Sequence, residues 1–304
     1  MSSNPVYSKF VLLVLLASAL SACAIPARYP VTHPAIVAHR GGAADAPENT
    51  LYAIEKAIGN NADAIWITLQ LSKDGVVVLY RPIDLKTNTN VSGPVSAYNA
   101  EQLARLDAAY YFDPKDGYPL RAKGISIPTL DQVLKTFPHT FFYLDIKSPD
   151  ADPERIAAAI EVALKENAAM QRVRVYSTES KYIRAARRMP HFETRDETRT
   201  ALANSVMTRN CLLNEKLGSW YGYELRRDVE LTERTTLGES VPSPSTLVWD
   251  KNASNCFIDK ARGSVLLIGI NSAADYAAAA NLGATAVLVD SPAQARQWHN
   301  DKKY

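Results

Sequence analysis

The chain alternates short apolar runs with longer stretches whose apolar positions recur at helical spacing. "NADAIWITLQLSKDGVVVLYRP", residues 61–82, reads as two strands joined by a tight turn. Side chains alternate faces along a strand, so Ile65, Ile67, Leu69 and Leu71 share one face and Trp66, Thr68 and Gln70 the other. Both faces are expected to be buried, which puts a tryptophan, a threonine and a glutamine inside the protein. Further strands are expected at "AIVAH", "FFYLDIK", "VRVYS", "SVLLIGI" and "ATAVLVD". Helices are expected at "NTLYAIEKAIGN", with Asn49 as N-cap and Leu51, Ile54 and Ile58 on one stripe, and at "PERIAAAIEVALKENA", with Pro153 near its first turn. Others follow at "ESKYIRAARRM", at "AADYAAAANLG" closed by Gly283, and from Ser291 and Pro292 onward.

Strand–helix alternation repeated over about 270 residues argues for parallel strands with crossover helices. A TIM-type (β/α)8 barrel fits this α/β pattern and length, and an open doubly wound sheet is the alternative. Residues 195–260 have mixed patterning and supply the fewest clear strands; within them "YELRRDVELTERTT" mixes both signs of charge and reads as surface. Residues 84–126, after the second strand region, form a long connection containing the helix-like "AEQLARL", an insertion of the kind that covers a site. No strand is followed by GxGxxG or GxxxxGK[ST], so nucleotide-binding readings lose their usual support.

The first residues stand apart from this pattern. "FVLLVLLASAL" follows the single charge of Lys9 and has the proportions of a secretory signal's apolar region. "LSAC", Leu20 to Cys23, resembles the bacterial lipobox, in which the cysteine carries lipid; an ordinary signal peptide with a chance cysteine is the plainer reading. Ala24, where an Asp would signal inner-membrane retention in enteric-type bacteria, favours the outer membrane facing the periplasm. The expected layout is a signal peptide over 1–22, a lipidated tether over 23–34 and a barrel over 35–300. The 304 residues are 47% hydrophobic and 22% charged with a net charge of +2, a globular balance without the single-sign field of a nucleic-acid binder. Cys211 and Cys256 remain; an exported location permits a disulfide between them, against two separate buried thiols.

"AHRGGAADAPENTLYAI" stands at a strand's C-terminal end, where parallel barrels keep their reactive groups. Arg40 offers a planar fork of donors to phosphate oxygens, His39 can give or take a proton near neutral pH, and Glu48 can hold Arg40 or join a metal. The bland alternative is an Arg–Glu pair tying a loop to the rim, with His39 packed in the core. The order His-Arg-Gly, Pro-Glu-Asn-Thr, Ala-Asp-Ala-Ile and Lys-Asp-Gly, then "IPTLDQVL", "YLDIKSP" and "GATAVLVDSP", resembles the glycerophosphodiester phosphodiesterase family over about residues 35–292. That resemblance implies a barrel of the phospholipase-C-like kind that binds calcium or magnesium. It also implies cleavage of glycerophosphodiesters to glycerol 3-phosphate and an alcohol, with two histidines as acid and base.

Several family positions are substituted. The Glu-x-Asp metal pair is Trp66 and Thr68, the second histidine is Arg81 and the residue after it Pro82. The third carboxylate matches Asp145, with Lys147 kept, and the glutamate of the Pro-Thr-Leu-x-Glu run is Gln132. With two of three carboxylates replaced, Asp145 and Glu48 would have to hold the cation almost alone, and His39 is the one retained proton handler. The expectation is an anchored barrel in which His39, Arg40, Arg81 and Lys147, with Glu48, form a basic pocket over Trp66 for a phosphate-bearing small molecule or lipid headgroup. Hydrolysis would be lost or strongly reduced. The alternatives are an active hydrolase with a rearranged site and a structural or partner-binding envelope lipoprotein.

Overall fold

The computed structural model describes residues 33–213, 218–231, 234–235, 238–239 and 241–300; the expected signal peptide, Cys23 and most of the tether lie outside them. The strands are β1 (Ala35–His39), β2 (Ala64–Leu71), β3 (Val77–Leu79), β4 (Phe142–Ile146), β5 (Val173–Tyr176), β6 (Trp220–Glu224), β7 (Arg226–Leu231), β8 (Ser243–Val248), β9 (Ser264–Ile268) and β10 (Ala286–Val289). Strands pair in the order β5-β4-β2-β1-β10-β9-β6, all parallel, with β3 antiparallel on β2. Between β5 and β6 the chain itself fills the gap. The Val175 N–H donates to the Pro190 carbonyl (2.8 Å), Phe192 N–H to Val175 (2.9 Å) and Glu193 N–H to Trp220 (2.8 Å). Residues 190–193 thus serve as the remaining stave and bridge β5 to β6.

Helices α1 (Leu51–Gly59), α2 (Leu130–Thr136), α3 (Pro153–Glu166), α4 (Ser180–Ala185), α5 (Arg195–Met207), α6 (Lys251–Ser254), α7 (Ala273–Asn281) and α8 (Pro292–Asn300) connect the staves. The cap of α1 is Thr50, not Asn49: the Thr50 hydroxyl accepts from the Ala53 N–H at 3.1 Å. Asn49 sits in the left-handed region (φ 58°), and its side-chain oxygen accepts from the Thr68 N–H at 2.8 Å, tying the first loop to β2. The buried stripe of α1 is Ala53, Ile54 and Ala57, while Ile58 is exposed. An alanine-rich face lets the helix approach the sheet closely, and the bulkier Ile58 is left outside that contact.

All eight residues of β2 are buried, because one face meets the helices and the other meets the lumen. Ile65, Ile67, Leu69 and Leu71 join the helix-side core. The lumen holds Val37, Trp66, Tyr143, Tyr176, Phe192 and Leu288 in one apolar cluster. Trp66 stacks on Tyr143 with ring centres 6.0 Å apart and tilts against Tyr176 at 4.9 Å. Gly222 on β6 makes room for this stack, since a Cβ there would stand 3.0 Å from the Tyr176 ring and 3.3 Å from Phe192.

The long connection between β3 and α2 carries one α-helical turn, Ala100–Leu103, and three 3-10 turns, Leu85–Thr87, Val95–Ala97 and Pro114–Asp116, and buries Tyr80, Leu85, Val95, Leu103 and Ala108 as a small core of its own beside Val78. Residues 195–260, nearly featureless in sequence, contain α5, β6, the antiparallel pair β7 and β8, and α6 with a π-helical continuation, Asn255–Lys260. Cys256 lies buried in that continuation rather than in an irregular stretch, and is joined to Cys211 with Cα atoms 5.3 Å apart. Closing a loop of 45 residues restricts the unfolded chain by about 2–4 kcal/mol. Cys211→Ser/Cys256→Ser, or reduction of the parent, should therefore lower the denaturant midpoint measured by tryptophan fluorescence; an unchanged midpoint would show that the bond does not stabilise the fold.

Candidate functional site

The C-terminal ends of the parallel strands converge on one rim, which gathers residues far apart in sequence. His39 closes β1, Asp145 is next to last in β4, Tyr176 closes β5, Glu224 closes β6, and Asp290 follows β10. Register explains the first pairing: Ala38 is opposite Val289, so the next residues along, His39 and Asp290, meet across the two strands. His39 Nδ1 lies 2.7 Å from an Asp290 carboxylate oxygen, and the other oxygen accepts from the Asn271 amide at 2.7 Å. Hydrogen bonding from His39 holds the Asp290 carboxyl below its ordinary value, against the opposing effect of burial. With Nδ1 directed at a carboxylate, Nε2 is the ring nitrogen left to exchange a proton with a bound molecule.

Arg40 is held on the other side of the same loop. Its φ of 54° places a non-glycine residue in the left-handed region, a conformation that costs about 1–2 kcal/mol and persists where surrounding contacts impose it. Gly41 follows at φ 81°, and a Cβ there would stand 2.9 Å from Ala53 of α1. The Arg40 guanidinium pairs with Glu48, and the second Glu48 oxygen accepts from the Asn88 amide at 3.3 Å.

Asp145 occupies the lumen side of the mouth and is almost completely buried. One of its oxygens accepts from the Trp66 indole N–H at 3.3 Å and lies 3.4 Å from Lys147 Nζ. Desolvation pushes its pKa up, opposed by Lys147 and the Trp66 hydrogen bond. Thr68 stands directly across from Asp145 in register and is fully buried. Among the described residues Thr68 Oγ1, the second Asp145 oxygen, Asn49 Nδ2 and Arg40 Nε have no hydrogen-bond partner, so unsatisfied polar atoms mark this side of the mouth.

This donor set does not fit calcium or magnesium. Calcium takes six or more oxygens and magnesium a near-ideal octahedron. Here a single carboxylate faces an indole donor and an ammonium, both of which repel a cation, and Glu48 is engaged by Arg40 and Asn88. Among the described residues no three His, Cys, Asp or Glu side chains are grouped to hold a metal. Asp145 and Glu48 are thus corrected as metal ligands: one is a buried acceptor for Trp66 and Lys147, the other an anchor for Arg40.

The expected basic pocket is also corrected. His39, Arg40 and Lys147 reach the mouth, each matched by an acid; Arg81 is exposed, and the Gln70 amide donates to the carbonyls on either side of it, Tyr80 at 3.2 Å and Pro82 at 2.8 Å. Trp66 does not form an open floor; at 2% exposure it fills the lumen. Gln132 is away from the chemistry, its side chain closing a capping box with Thr129 at the start of α2.

Arg195 and Glu224 were not legible in the sequence as site residues. Arg195 Nη2 donates to both Glu224 oxygens at 2.7 and 2.9 Å. Arg227 adds a second cation to Glu224 at 2.5 Å. The signal available was weak, since Glu224 and Arg227 sit in a run of mixed charge that reads as surface and Arg195 lies 29 residues before Glu224.

A profile described as the glycerophosphoryl diester phosphodiesterase family matches residues 39–293. The protein Rv2277c of Mycobacterium tuberculosis, itself uncharacterized, is 38% identical over 273 residues, 88% of this chain and 90% of its own. The crystal structure of its glycerophosphoryl diester phosphodiesterase domain superposes with a TM-score of 0.82 at 37% identity, over 88% of this chain and 100% of that one. Glycerophosphodiester phosphodiesterase of Bacillus subtilis is 35% identical over 133 residues, 41% of this chain and 45% of its own. A phosphodiesterase of Oleispira antarctica in complex with the product sn-glycerol-3-phosphate shares the fold, with a TM-score of 0.57 at 18% identity over 88% of this chain and 98% of that one.

The Asp290 shift has a consequence for acid stability. A carboxyl depressed in the folded state contributes stability above its ordinary value of 3.8 and loses it as pH falls through the depressed value. Asp290→Asn should therefore flatten the dependence of the denaturation midpoint on pH below about pH 4. Identical acid limbs in parent and variant would contradict the pairing with His39.

Proposed function

This chain belongs to the glycerophosphoryl diester phosphodiesterase family, and from that premise we propose that its mouth binds the phosphate of a glycerophosphodiester or lipid headgroup, with hydrolysis lost or strongly reduced. The observation that carries the reading is the Trp66 indole and Lys147 ammonium directed at Asp145, where the family resemblance implies a divalent cation. His39 and Arg40 support retained binding, one offering a ring nitrogen and the other a guanidinium at the rim. Without the second histidine, acid–base assistance worth about 100- to 10,000-fold is weakened, and the charge stabilisation of a metal is forgone as well.

A second reading is favoured by the His39 and Asp290 contact: slow, metal-independent hydrolysis with His39 moving the proton. In either case we place the protein at the bacterial envelope, anchored through Cys23 to the outer membrane and facing the periplasm. The "LSAC" run supports this, as does the Cys211 and Cys256 bond, which suits an oxidising compartment.

Full chain purified in detergent, given glycerophosphocholine or glycerophosphoethanolamine with calcium or magnesium, should release little or no glycerol 3-phosphate. Metal-stimulated release that disappears in His39→Ala would overturn the first reading; release indifferent to chelator and lost in His39→Ala would establish the second. Calorimetric titration with glycerol 3-phosphate should show binding that weakens about tenfold or more in Arg40→Ala. Cells fed an alkyne fatty acid should label the parent and not Cys23→Ala, and equal labelling would remove the anchor.

A further inference from the structure

The chain enters the barrel at the end opposite the mouth. Ala35 opens β1 and His39 closes it at the rim, so His33 and Pro34 lie at the far end of the strands. Ten residues separate Cys23 from His33, and at full stretch they span about 35 Å. A barrel on so short a tether stays within reach of the membrane surface, and the charges on its two ends decide which end meets it. We propose that the end opposite the mouth docks on the anionic phospholipid headgroups of the membrane that holds the anchor, so that the mouth opens away from that surface. The proposal rests on the reading that Cys23 carries lipid, and adds to it an orientation and a second, electrostatic contact.

The helices between strands return the chain from the mouth, so the loops that enter the strands gather at the far end. Among the described residues those loops carry Arg172, Arg187, Arg188, Arg209 and Arg262 against one acid, Asp63. Two of the arginines serve the fold. Arg172 donates to the carbonyls of Leu134, Phe137 and Thr140 at 2.9, 3.1 and 3.2 Å, and Arg188 pairs with Glu161 at 2.9 Å. Asp63 is tied to the Ile36 N–H at 2.7 Å. Arg187, Arg209 and Arg262 are exposed, and among the described residues their side chains have no ion pair or hydrogen bond. At the helix ends beside these loops the charges offset, Lys165 with Glu166 and Lys260 with Asp259. The mouth has the reverse balance: acids outnumber cations in the loops leaving β1, β4, β5, β6 and β10. Near an anionic surface such a molecule turns its positive end inward.

A cation just after a helix also meets the negative end of the helix dipole, which accounts for its sign. Conformation points further. Arg209 and Arg262 stand in the left-handed region, at φ 57° and 51°, where glycine fits without steric cost and arginine does not. Neither guanidinium makes a local contact that explains its place, so the charge is available to an anion outside the chain.

Two exposed apolar side chains share this end, Ile58 near the close of α1 and Met207 as the last residue of α5. Apolar groups among exposed arginines are the combination that holds a protein at a lipid interface. Ile83 and Val241 are more exposed still, but they belong to the connections that leave β3 and β6 at the mouth, where acids prevail.

For the test, full chain purified in detergent is reconstituted into phosphatidylcholine vesicles with or without phosphatidylglycerol, together with a lipid bearing a nitroxide at its headgroup. A tryptophan reporter is placed at either end, as Met207→Trp or Ile83→Trp, and its quenching is read against the parent. With phosphatidylglycerol present, Met207→Trp should be quenched about twofold or more beyond Ile83→Trp, and the difference should vanish in phosphatidylcholine alone or in about 0.5 M salt. Arg187→Glu/Arg209→Glu/Arg262→Glu should abolish it at low salt while the chain still floats with the vesicles. The salt comparison needs none of these charge reversals, so it decides the matter even if that variant does not fold. Equal quenching at both ends, or quenching indifferent to phosphatidylglycerol and salt, would overturn the docking face and leave the anchor in place. Stronger quenching of Ile83→Trp would overturn it in favour of a mouth turned to the membrane. Loss of the chain from vesicles in high salt, with Met207→Trp quenched at low salt, would defeat the anchor and uphold the docking face.

Discussion

The mouth of this barrel is organised by one buried carboxylate, Asp145, and by the indole and ammonium that answer it. A carboxylate removed from water needs either positive charge or hydrogen-bond donors. A divalent ion would supply the charge, but needs further oxygen ligands to be seated. Here Trp66 supplies a donor, Lys147 supplies charge, and Thr68 supplies a side chain with no charge at all. Once the indole is directed at Asp145, its rings must lie in the lumen, and the stack on Tyr143, Tyr176 and Phe192 follows from packing around it. Gly222 is the corresponding concession on the opposite side of the barrel. The substituted positions therefore form one self-consistent arrangement instead of a cation site with missing parts.

Around that centre the rim is built from matched charges. His39 meets Asp290, Arg40 meets Glu48, and Arg195 meets Glu224. Matched pairs hold side chains in place at little net field, so the mouth is preorganised without being strongly basic. An incoming phosphate would compete with Glu48 for Arg40 and would meet His39 at Nε2, the ring nitrogen that Asp290 leaves free. Affinity should accordingly come from exchanging one anion for another, aided by whatever the alcohol end gains elsewhere. The left-handed conformation of Arg40 belongs to the same design, because it turns the guanidinium toward Glu48 while its own carbonyl accepts from the Asn49 N–H.

Much of this was readable along the chain. The strands at 35–39, 64–71, 142–146, 173–176, 264–268 and 286–289 follow apolar runs, and the double-sided burial of β2 follows from its lack of polar alternation. The identity of residues 66 and 68 was equally plain. Other features depend on partners distant in sequence. Asp290 becomes meaningful only when β10 lies beside β1, and Glu224 only when Arg195 reaches over from the start of α5. Asn49 looked like a helix cap because its spacing permits that role; the Thr68 N–H of β2 offered its side-chain oxygen a different donor, and Thr50 took the cap.

By itself, the order of amino acids determined the strand–helix alternation, the family resemblance that implies a barrel, and the replacement of carboxylates by an indole and a hydroxyl, since periodicity and local motifs carry those facts residue by residue. It could not determine where a charge finds its counter-charge, because ion pairs at a barrel rim join the ends of strands that are neighbours only after closure. Whether Trp66 floors an open pocket or fills the lumen was likewise a matter of tertiary packing: the answer rests on the rings of β4, β5 and the stave at 190–193, which sequence separation hides and the closed ring brings to within stacking distance.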